Sequence, residues 1–253
     1  MLISFTQTYG DERGELLEIQ ARDKRMLEFK DLFDWNIFSF HDCDSSIVEK
    51  FKSINKVKNS VILEFGQIYY PGTINEMIKI VKELGGTHFF FSQDDTFSAN
   101  NDDIDWNELV EYIKGFKEKF MLNLYYDPDM IDHTLQPTQI KDTFNIYHLT
   151  SFDFKNVGVF SMDDSPYVCT VDMLDKIYDD DFIYKYDNVW DCELYLIEKF
   201  KRVEINRFIL DKGTFKNYNL YGRSTHKKTT ERAELQEKNM ILRGGAVGSS
   251  PGS

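Results

Sequence analysis

Short apolar runs alternate with segments of helical periodicity through roughly the first half of the chain. Apolar residues that recur every three or four positions predict amphipathic helices, whereas short apolar runs bounded by turn residues predict strands. The predicted strands are 2–6, 36–41 and 60–65, and the predicted helices are 16–29 and 73–84, the latter with Thr73 as its N-cap. Strands that alternate with helices form mainly parallel sheets with right-handed crossovers, so the pattern predicts an α/β fold.

The segment from Gly85 to Thr96 combines the most informative signals. Two glycines end a helical pattern, a run of three phenylalanines predicts a buried strand, and Asp94 and Asp95 follow where that strand leaves the core. Open α/β sheets bind ligands outside the carboxyl ends of their strands, and carboxylate oxygens suit hard cations such as Mg²⁺ or Mn²⁺. An exposed acidic turn would carry the same two residues, so the pair alone does not establish a metal site.

The second half of the chain has a different pattern. A helix over 106–120 is followed by predicted strands, of which 145–149 and 157–161 have no helix between them. The remaining predicted strands are 122–126 and 203–210. Neighbouring strands without crossover helices predict a smaller antiparallel portion.

Composition restricts the class of protein. In 253 residues, 42% are hydrophobic and 15% aromatic, which indicates a globular core. The net charge of −13 disfavours nucleic-acid binding, and three cysteines without CxxC spacing favour a reducing compartment over a disulfide framework. Since no apolar run reaches the roughly 18 residues of a membrane span, we expect no span and a cytoplasmic location. The first predicted strand-to-helix turn lacks both GxGxxG and GxxxxGK[ST], so neither a Rossmann nucleotide loop nor a P-loop is indicated.

The order of helix, Gly-Gly, apolar strand and acidic end resembles the metal-binding region of GT-A fold glycosyltransferases, where a strand ends in a DxD or EDD-type motif. The triplet in this chain is Gln93-Asp94-Asp95, so an amide replaces the first acidic residue. The resemblance covers residues 1–228 and implies one GT-A-like α/β domain, with a mainly parallel central sheet flanked by helices and a smaller antiparallel portion on the acceptor side. Residues 229–253 are expected to form a C-terminal helix and a flexible tail, a linker or an expression scar.

This resemblance implies transfer of a sugar from a nucleoside diphosphate, with UDP expected, to a hydroxyl of a glycan or another acceptor. By position, Asp95 would bind the Mn²⁺ or Mg²⁺ cofactor and Asp94 the ribose or the donor sugar. The residues implied in nucleoside binding are Thr6, Thr8, Tyr9 and Arg13 in the first turn, and Asp42 or Asp44 after the second strand. A carboxylate can accept the imide N–H of uracil. Two of these residues have ordinary alternatives, because Asp44 can be the N-cap of the next helix and Arg13 can pair with neighbouring glutamates on a solvated helix face.

The resemblance also implies roles for residues late in the chain. Asp191, with Glu193 as second choice, stands at a helix start where inverting GT-A enzymes carry the catalytic base. Acids also favour the first turn of any helix because they complement its dipole. Arg223 and Lys227 would stabilise the leaving diphosphate, and His226 would complete the metal shell, although a histidine beside lysines is also typical of a solvated loop.

Two other functions stay open at this point. A sugar-nucleotide nucleotidyltransferase has a similar fold, but the first turn lacks the Gly-rich, Arg- and Lys-bearing signature of those enzymes. A non-catalytic acidic interaction module is the alternative from a different class. Metal-dependent stabilisation by a nucleotide separates the enzymes from the module, and pyrophosphate release separates the two enzymes.

Overall fold

The structure is a computed structural model that describes residues 1–66, 70–98, 103–124, 136–149, 166–178, 195–196, 206–212 and 214–217. Met1–Tyr218 forms one compact unit, and Asn219–Ser253 forms a second unit that lies outside the described residues. The predicted strand 157–161 also lies outside them.

The described elements are eleven strands and six helices. The strands are β1 (Leu2–Tyr9), β2 (Trp35–His41), β3 (Ser60–Phe65), β4 (His88–Gln93), β5 (Thr96–Ser98), β6 (Phe120–Asn123), β7 (Gln139–Ile140), β8 (Asn145–Leu149), β9 (Tyr167–Thr170), β10 (Asn206–Leu210) and β11 (Phe215–Asn217). The helices are α1 (Asp11–Gln20), α2 (Lys24–Lys30), α3 (Ser45–Ile54), α4 (Tyr70–Glu83), α5 (Trp106–Gly115) and α6 (Val171–Ile177).

Nine of these strands form one sheet in the order β3-β2-β1-β4-β9-β6-β10-β8-β7. Strands β3, β2, β1 and β4 are mutually parallel, and β9 and β8 are the two described strands of this sheet that run in the opposite direction to the other seven. A two-stranded sheet pairs β11 with β5. The prediction of a mainly parallel α/β sheet with a smaller antiparallel portion is confirmed.

The register brings the carboxyl ends of the first strands to one edge of the sheet. Tyr9 pairs with His41, His41 pairs with Phe65, and Gln7 pairs with Gln93. We call this line of strand ends the carboxyl edge. The turn after β4 therefore lies beside the end of β1.

Three of the predicted helices differ from the observed ones. The helix predicted over 106–120 ends at Gly115, and Phe120 begins β6. The pattern over 16–29 belongs to α1 and α2, because Asp23 interrupts it and caps α2 by accepting a hydrogen bond of 3.1 Å from the backbone N–H of Met26. The prediction of Thr73 as an N-cap was wrong, since α4 begins at Tyr70 and buries Thr73 inside the helix. Pro71 is tolerated in that first turn because its missing N–H has no intrahelical acceptor there.

The phenylalanines of β4 are buried on both faces of the sheet. Phe89 and Phe91 pack in the cluster that includes α4 and α6, and Phe90 packs in the cluster with Phe29 of α2 and Trp106 of α5. Burial on both faces explains why this strand is a continuous apolar run. The predicted buried strand is confirmed.

Both glycines before β4 are needed where α4 ends. Gly85 has a φ of 72° and Gly86 donates its N–H to the carbonyl of Val81 at 2.9 Å, as in a Schellman cap. A Cβ on Gly86 would lie 2.8 Å from Cγ1 of Val81 and 3.0 Å from Cδ1 of Ile3. The pair therefore ends the helix and lets it pack closely on β1.

Candidate active site at the carboxyl edge

The turn that joins β4 to β5 is held against the end of β1. Thr8 Oγ1 donates a hydrogen bond of 2.5 Å to Oδ2 of Asp94, and the backbone N–H of Asp94 donates to the carbonyl of Gln7 at 3.0 Å. Gln93 N–H also donates to Thr96 Oγ1 at 3.2 Å. We call residues 93–96 the acidic turn. Thr8 and Asp94, both predicted site residues, are thus brought into direct contact.

The carboxylates of the acidic turn are buried. Asp94 and Asp95 are each 1% exposed, so the expectation of an exposed turn was wrong. Ionised carboxylates that are removed from water need hydrogen bonds or a counter-charge, and adjacent carboxylates repel each other. Such a pair is suited to a cation.

The side-chain amide of Gln20 also holds the acidic turn in place. Gln20, the last residue of α1, donates through Nε2 to the carbonyls of Gln93 at 2.9 Å and Thr96 at 2.7 Å. Lys30 Nζ donates to Gln20 Oε1 at 2.9 Å and to Thr6 Oγ1 at 2.6 Å. Two helices and β1 therefore meet in one buried polar network under the acidic turn.

Lys30 is an unusual member of this network because it is only 1% exposed. Its ammonium lies 4.6 Å from the centre of the Phe38 ring. Burial lowers the pKa of Lys30 from 10.5 to about 7, and the charge of Asp23 opposes that shift. The amine therefore changes its charge close to neutral pH.

Thr6 lies inside the same network. It is completely buried, and its hydroxyl is 2.9 Å from the hydroxyl of Ser92 as well as bonded to Lys30. Thr6 is therefore part of the buried polar network next to the acidic turn. Its contact with a nucleoside stays a prediction.

Asp42 and Asp44, two of the predicted nucleoside-binding residues, follow the end of β2. Asp42 is exposed and has a φ of 52°, a left-handed conformation that Asp tolerates better than most residues. Non-glycine residues in this region are often found at functional sites. Asp44 accepts a hydrogen bond of 2.7 Å from the N–H of Ser46 and is the N-cap of α3, which is the ordinary role considered for it. A further contact of Asp44 with a nucleoside is untested.

His41, the last residue of β2, stacks on Phe65 with ring centres 4.9 Å apart and planes within 4°. Its Nε2 lies 3.0 Å from Ser39 Oγ, and its carbonyl accepts the N–H of Gly10 at 2.9 Å. Burial lowers the pKa of His41 from 6.5 to about 4. The ring is therefore neutral at neutral pH, and it precedes Asp42 directly in the chain.

The acidic turn fits a hard cation by its chemistry. No group of three or more His, Cys, Asp or Glu side chains within the described ranges is arranged to hold a metal ion. Mg²⁺ usually binds proteins through one or two carboxylates and takes its other ligands from water and phosphate, so two adjacent carboxylates suffice. The other predicted metal ligand besides Asp95, His226, lies outside the described residues.

Several other predicted site residues are not described. The backbone places Tyr9 at the end of β1 and Arg13 in α1, but their side chains lie outside the description. The same holds for the whole of Asp191, Glu193, Arg223 and Lys227. Their roles stay predictions.

Sequence reasoning missed Gln20, Lys30 and His41 as parts of the site. Gln20 and Lys30 lie in helical segments rich in charged and polar residues, and such a composition does not indicate which polar residues are buried. The repetition of an apolar pattern around Lys30 was the one available hint that this residue faces the core.

No helix among the described residues combines the length and apolar character that a membrane span requires.

No family model and no curated protein matches this chain. Among solved structures, S. aureus TarS 1–349 superposes with a TM-score of 0.51 at 14% identity, over 85% of this chain and 60% of that one. The same fragment in complex with UDP-GlcNAc gives a TM-score of 0.51 at 12% identity, over 95% of this chain and 66% of that one. The 4-diphosphocytidyl-2C-methyl-D-erythritol synthase of Anaerococcus prevotii gives 0.51 at 12% identity, over 93% of this chain and 98% of that one.

This chain thus spans about 60% of the length of the TarS fragment. At such low identities the similarity concerns the fold. The mixed α/β sheet and the superpositions together confirm the fold that the sequence resemblance implied. The chain shares a GT-A-like mixed α/β fold with these solved structures.

Proposed function

We propose that this protein is a metal-dependent glycosyltransferase that moves a sugar from a nucleoside diphosphate, with UDP as the expected nucleotide, to a hydroxyl of a glycan or another acceptor. The observation that carries the proposal is the contact between Thr8 and Asp94, which holds a buried acidic turn at the carboxyl edge of a GT-A-like sheet. Ligands of open α/β sheets bind at this edge.

The acidic turn is the proposed centre for the donor. Asp95 would hold Mn²⁺ or Mg²⁺, and Asp94, oriented by Thr8, would bind the ribose or the donor sugar. The cation, when bound, supplies positive charge to the diphosphate as its bond to the sugar breaks. Burial of both carboxylates strengthens their attraction for a cation, because water screens them less.

The nucleoside is proposed to lie over the ends of β1 and β2. Asp42 is exposed there on a left-handed backbone, next to the rigid His41–Phe65 stack. A carboxylate at this position can accept the N–H of a uracil ring. Asp44 remains the second candidate, with one oxygen engaged in capping α3.

The chemical step is proposed to use Asp191, or Glu193, as the base that removes the proton of the acceptor hydroxyl. Direct attack of that hydroxyl on the sugar carbon, opposite the leaving diphosphate, inverts the anomeric centre. Arg223, His226 and Lys227 complete the proposal as groups that bind the diphosphate or the metal.

Thermal stabilisation by UDP, with and without Mn²⁺, tests the binding half of this proposal. We expect UDP to raise the melting temperature only with Mn²⁺, and Asp95→Asn to abolish that increase. Asp175→Asn is the matched control, because it removes a carboxylate that is exposed and paired with Lys82 on another surface. A panel of nucleotide sugars with Mn²⁺, scored for release of the nucleoside diphosphate, then identifies the donor. Stabilisation that is unaffected by Asp95→Asn would contradict the proposed site.

A nucleotidyltransferase is the second candidate, and one observation favours it. The superposition on the Anaerococcus prevotii synthase covers 98% of that protein, whereas the TarS fragment is covered over 60%. Pyrophosphate release from a nucleoside triphosphate and a sugar or polyol phosphate would support this second activity. Lack of nucleotide binding under all these conditions would favour a non-catalytic acidic module.

A further inference from the structure

Gln20 closes the acidic turn through its side-chain amide. Its Nε2 donates to the carbonyl of Gln93 at 2.9 Å and to that of Thr96 at 2.7 Å, the residues on either side of Asp94 and Asp95. Gln20 is 2% exposed, so these hydrogen bonds are shielded from water. One amide group therefore fixes both ends of the segment that presents the carboxylates.

Lys30 binds the oxygen atom of the same Gln20 amide. Lys30 Nζ donates to Gln20 Oε1 at 2.9 Å. The backbone carbonyls of Gln93 and Thr96 can only accept, so Nε2 faces the turn and Oε1 faces Lys30, whose Nζ can donate to it in either charge state. Lys30 is itself held by Thr6 Oγ1 at 2.6 Å and by the ring of Phe38. Three hydrogen bonds therefore orient the Gln20 amide, two to backbone carbonyls of the acidic turn and one from Lys30.

We propose that Gln20 and Lys30 are positioning residues that hold the acidic turn in the geometry required to bind a divalent cation together with a nucleoside diphosphate. This inference rests on the proposed function for the identity of the ligand. Mg²⁺ and similar ions demand near-ideal ligand geometry, and loss of the groups that orient metal ligands typically lowers metal affinity by about 10- to 100-fold. Neither residue needs to touch the cation or the nucleotide.

A second buried amide on the same sheet provides a matched control. Asn36, at the start of β2, donates through Nδ2 to the carbonyls of Lys30 at 2.9 Å and Lys58 at 3.0 Å, and its Oδ1 accepts from Ser4 Oγ at 2.5 Å. It is completely buried. Gln20 and Asn36 therefore make the same kinds of hydrogen bond. Asn36, however, lies near the amino ends of the strands, away from the acidic turn, and it contacts the backbone of Lys30 and not the Nζ that binds Gln20.

The experiment compares Gln20→Met with Asn36→Leu, since each substitution keeps the approximate size and removes the amide. Both variants should lose thermal stability, because each leaves buried carbonyls without their donor. Hydrogen exchange of residues 93–98 should become faster only in Gln20→Met. Affinity for Mn²⁺ in the presence of UDP, measured by electron paramagnetic resonance of the free ion, should fall by about tenfold or more only in Gln20→Met.

Each outcome decides the inference. Unchanged exchange in residues 93–98 of Gln20→Met, or an equal increase in Asn36→Leu, would overturn it, because the amide would then have only a general structural role. If Gln20→Met does not fold, Lys30→Met tests the same relay and should also accelerate exchange in the acidic turn. If wild type does not bind Mn²⁺ with UDP, the proposed function fails, and the exchange data alone decide whether Gln20 holds the turn.

Discussion

The hydroxyl of Thr8 donates a hydrogen bond of 2.5 Å to Oδ2 of Asp94, although the two residues are 86 positions apart in the chain. This contact joins the carboxyl end of β1 to the turn after β4. It orients a carboxylate that is almost completely removed from water. The end of β1, where nucleoside-binding residues were predicted, and the predicted acidic motif are therefore in direct contact.

Replacement of Thr8 by Val tests the importance of this contact. Val keeps the shape of the side chain but removes the donor, and a hydrogen bond to a charged group contributes about 1.5–3 kcal/mol. We expect Thr8→Val to lower the free energy of unfolding by about that amount and to weaken Mn²⁺-dependent UDP binding. Thr8→Ser keeps the hydroxyl and is the control. Equal stability of wild type, Ser and Val variants in urea titrations would contradict this role.

Replacement of Asp95 by Asn tests the metal site. The substitution keeps the size of the side chain and removes the negative charge, so we expect the fold to persist while transfer is lost and Mn²⁺-dependent UDP binding weakens. Since Asp95 is 1% exposed, loss of its charge also removes a desolvation cost. Calorimetric titration of UDP at fixed Mn²⁺ measures the effect. Unchanged affinity would remove Asp95 from the site.

His41 predicts a specific dependence of stability on pH. Burial lowers the pKa of His41 from 6.5 to about 4. Between these two pH values the imidazole is therefore protonated in the unfolded chain and neutral in the folded chain. The unfolded state binds more protons there, and the free energy of unfolding should fall as the pH falls from 6.5 towards 4. One such histidine changes the free energy of unfolding by at most about 1.4 kcal/mol per pH unit.

His41→Phe isolates this contribution. Phe can stack on Phe65 as His41 does and has no proton to bind. We expect the difference in the free energy of unfolding between variant and wild type to change across this pH interval in favour of the variant as the pH falls. A difference that is independent of pH would show that His41 does not resist protonation in the fold.

Gly86→Ala tests the close packing of α4 on β1. The new Cβ would lie 2.8 Å from Val81 Cγ1 and 2.9 Å from the Val81 carbonyl, and backbone cannot move away as a side chain can. We expect a loss of about 1–3 kcal/mol in the free energy of unfolding, which is the usual cost of overpacking. Gly115→Ala in α5 is the control, because its Cβ meets nothing within 4 Å and alanine should stabilise the helix there by up to about 1 kcal/mol. Melting temperatures that shift in the same direction for both variants would contradict the packing argument.

Asp191→Asn tests the proposed base. Asn retains the shape of the side chain but cannot accept the acceptor's proton, so donor binding should survive while turnover falls by about 10²–10⁴-fold. The same substitution logic applies separately to Glu193. Nuclear magnetic resonance of the product should show an inverted anomeric centre, and a retained configuration would overturn the assignment for both residues.

The order of elements followed from local patterns in the sequence. Alternation of apolar runs with helical periodicity predicted the parallel strands β1 to β4, because burial on one face or both faces leaves a signal in neighbouring residues. The glycine pair and the phenylalanine run located the end of α4 and the buried strand β4 for the same reason. The positions of Asp94 and Asp95 at a strand end were likewise accessible from the sequence.

The environment of those carboxylates was decided only by the tertiary structure. Thr8 binds Asp94, and Gln20, which is bound by Lys30, binds the backbone of the turn; these residues come from a strand and two helices far away in the chain. Hydrogen bonds between such distant residues leave no periodic pattern, and the apolar pattern around Lys30 does not reveal which groups its ammonium contacts. The exposure expected for the turn was wrong for this reason. Local sequence therefore determined where the acidic turn occurs, and long-range packing determined its charge environment, because burial depends on every element that covers a residue.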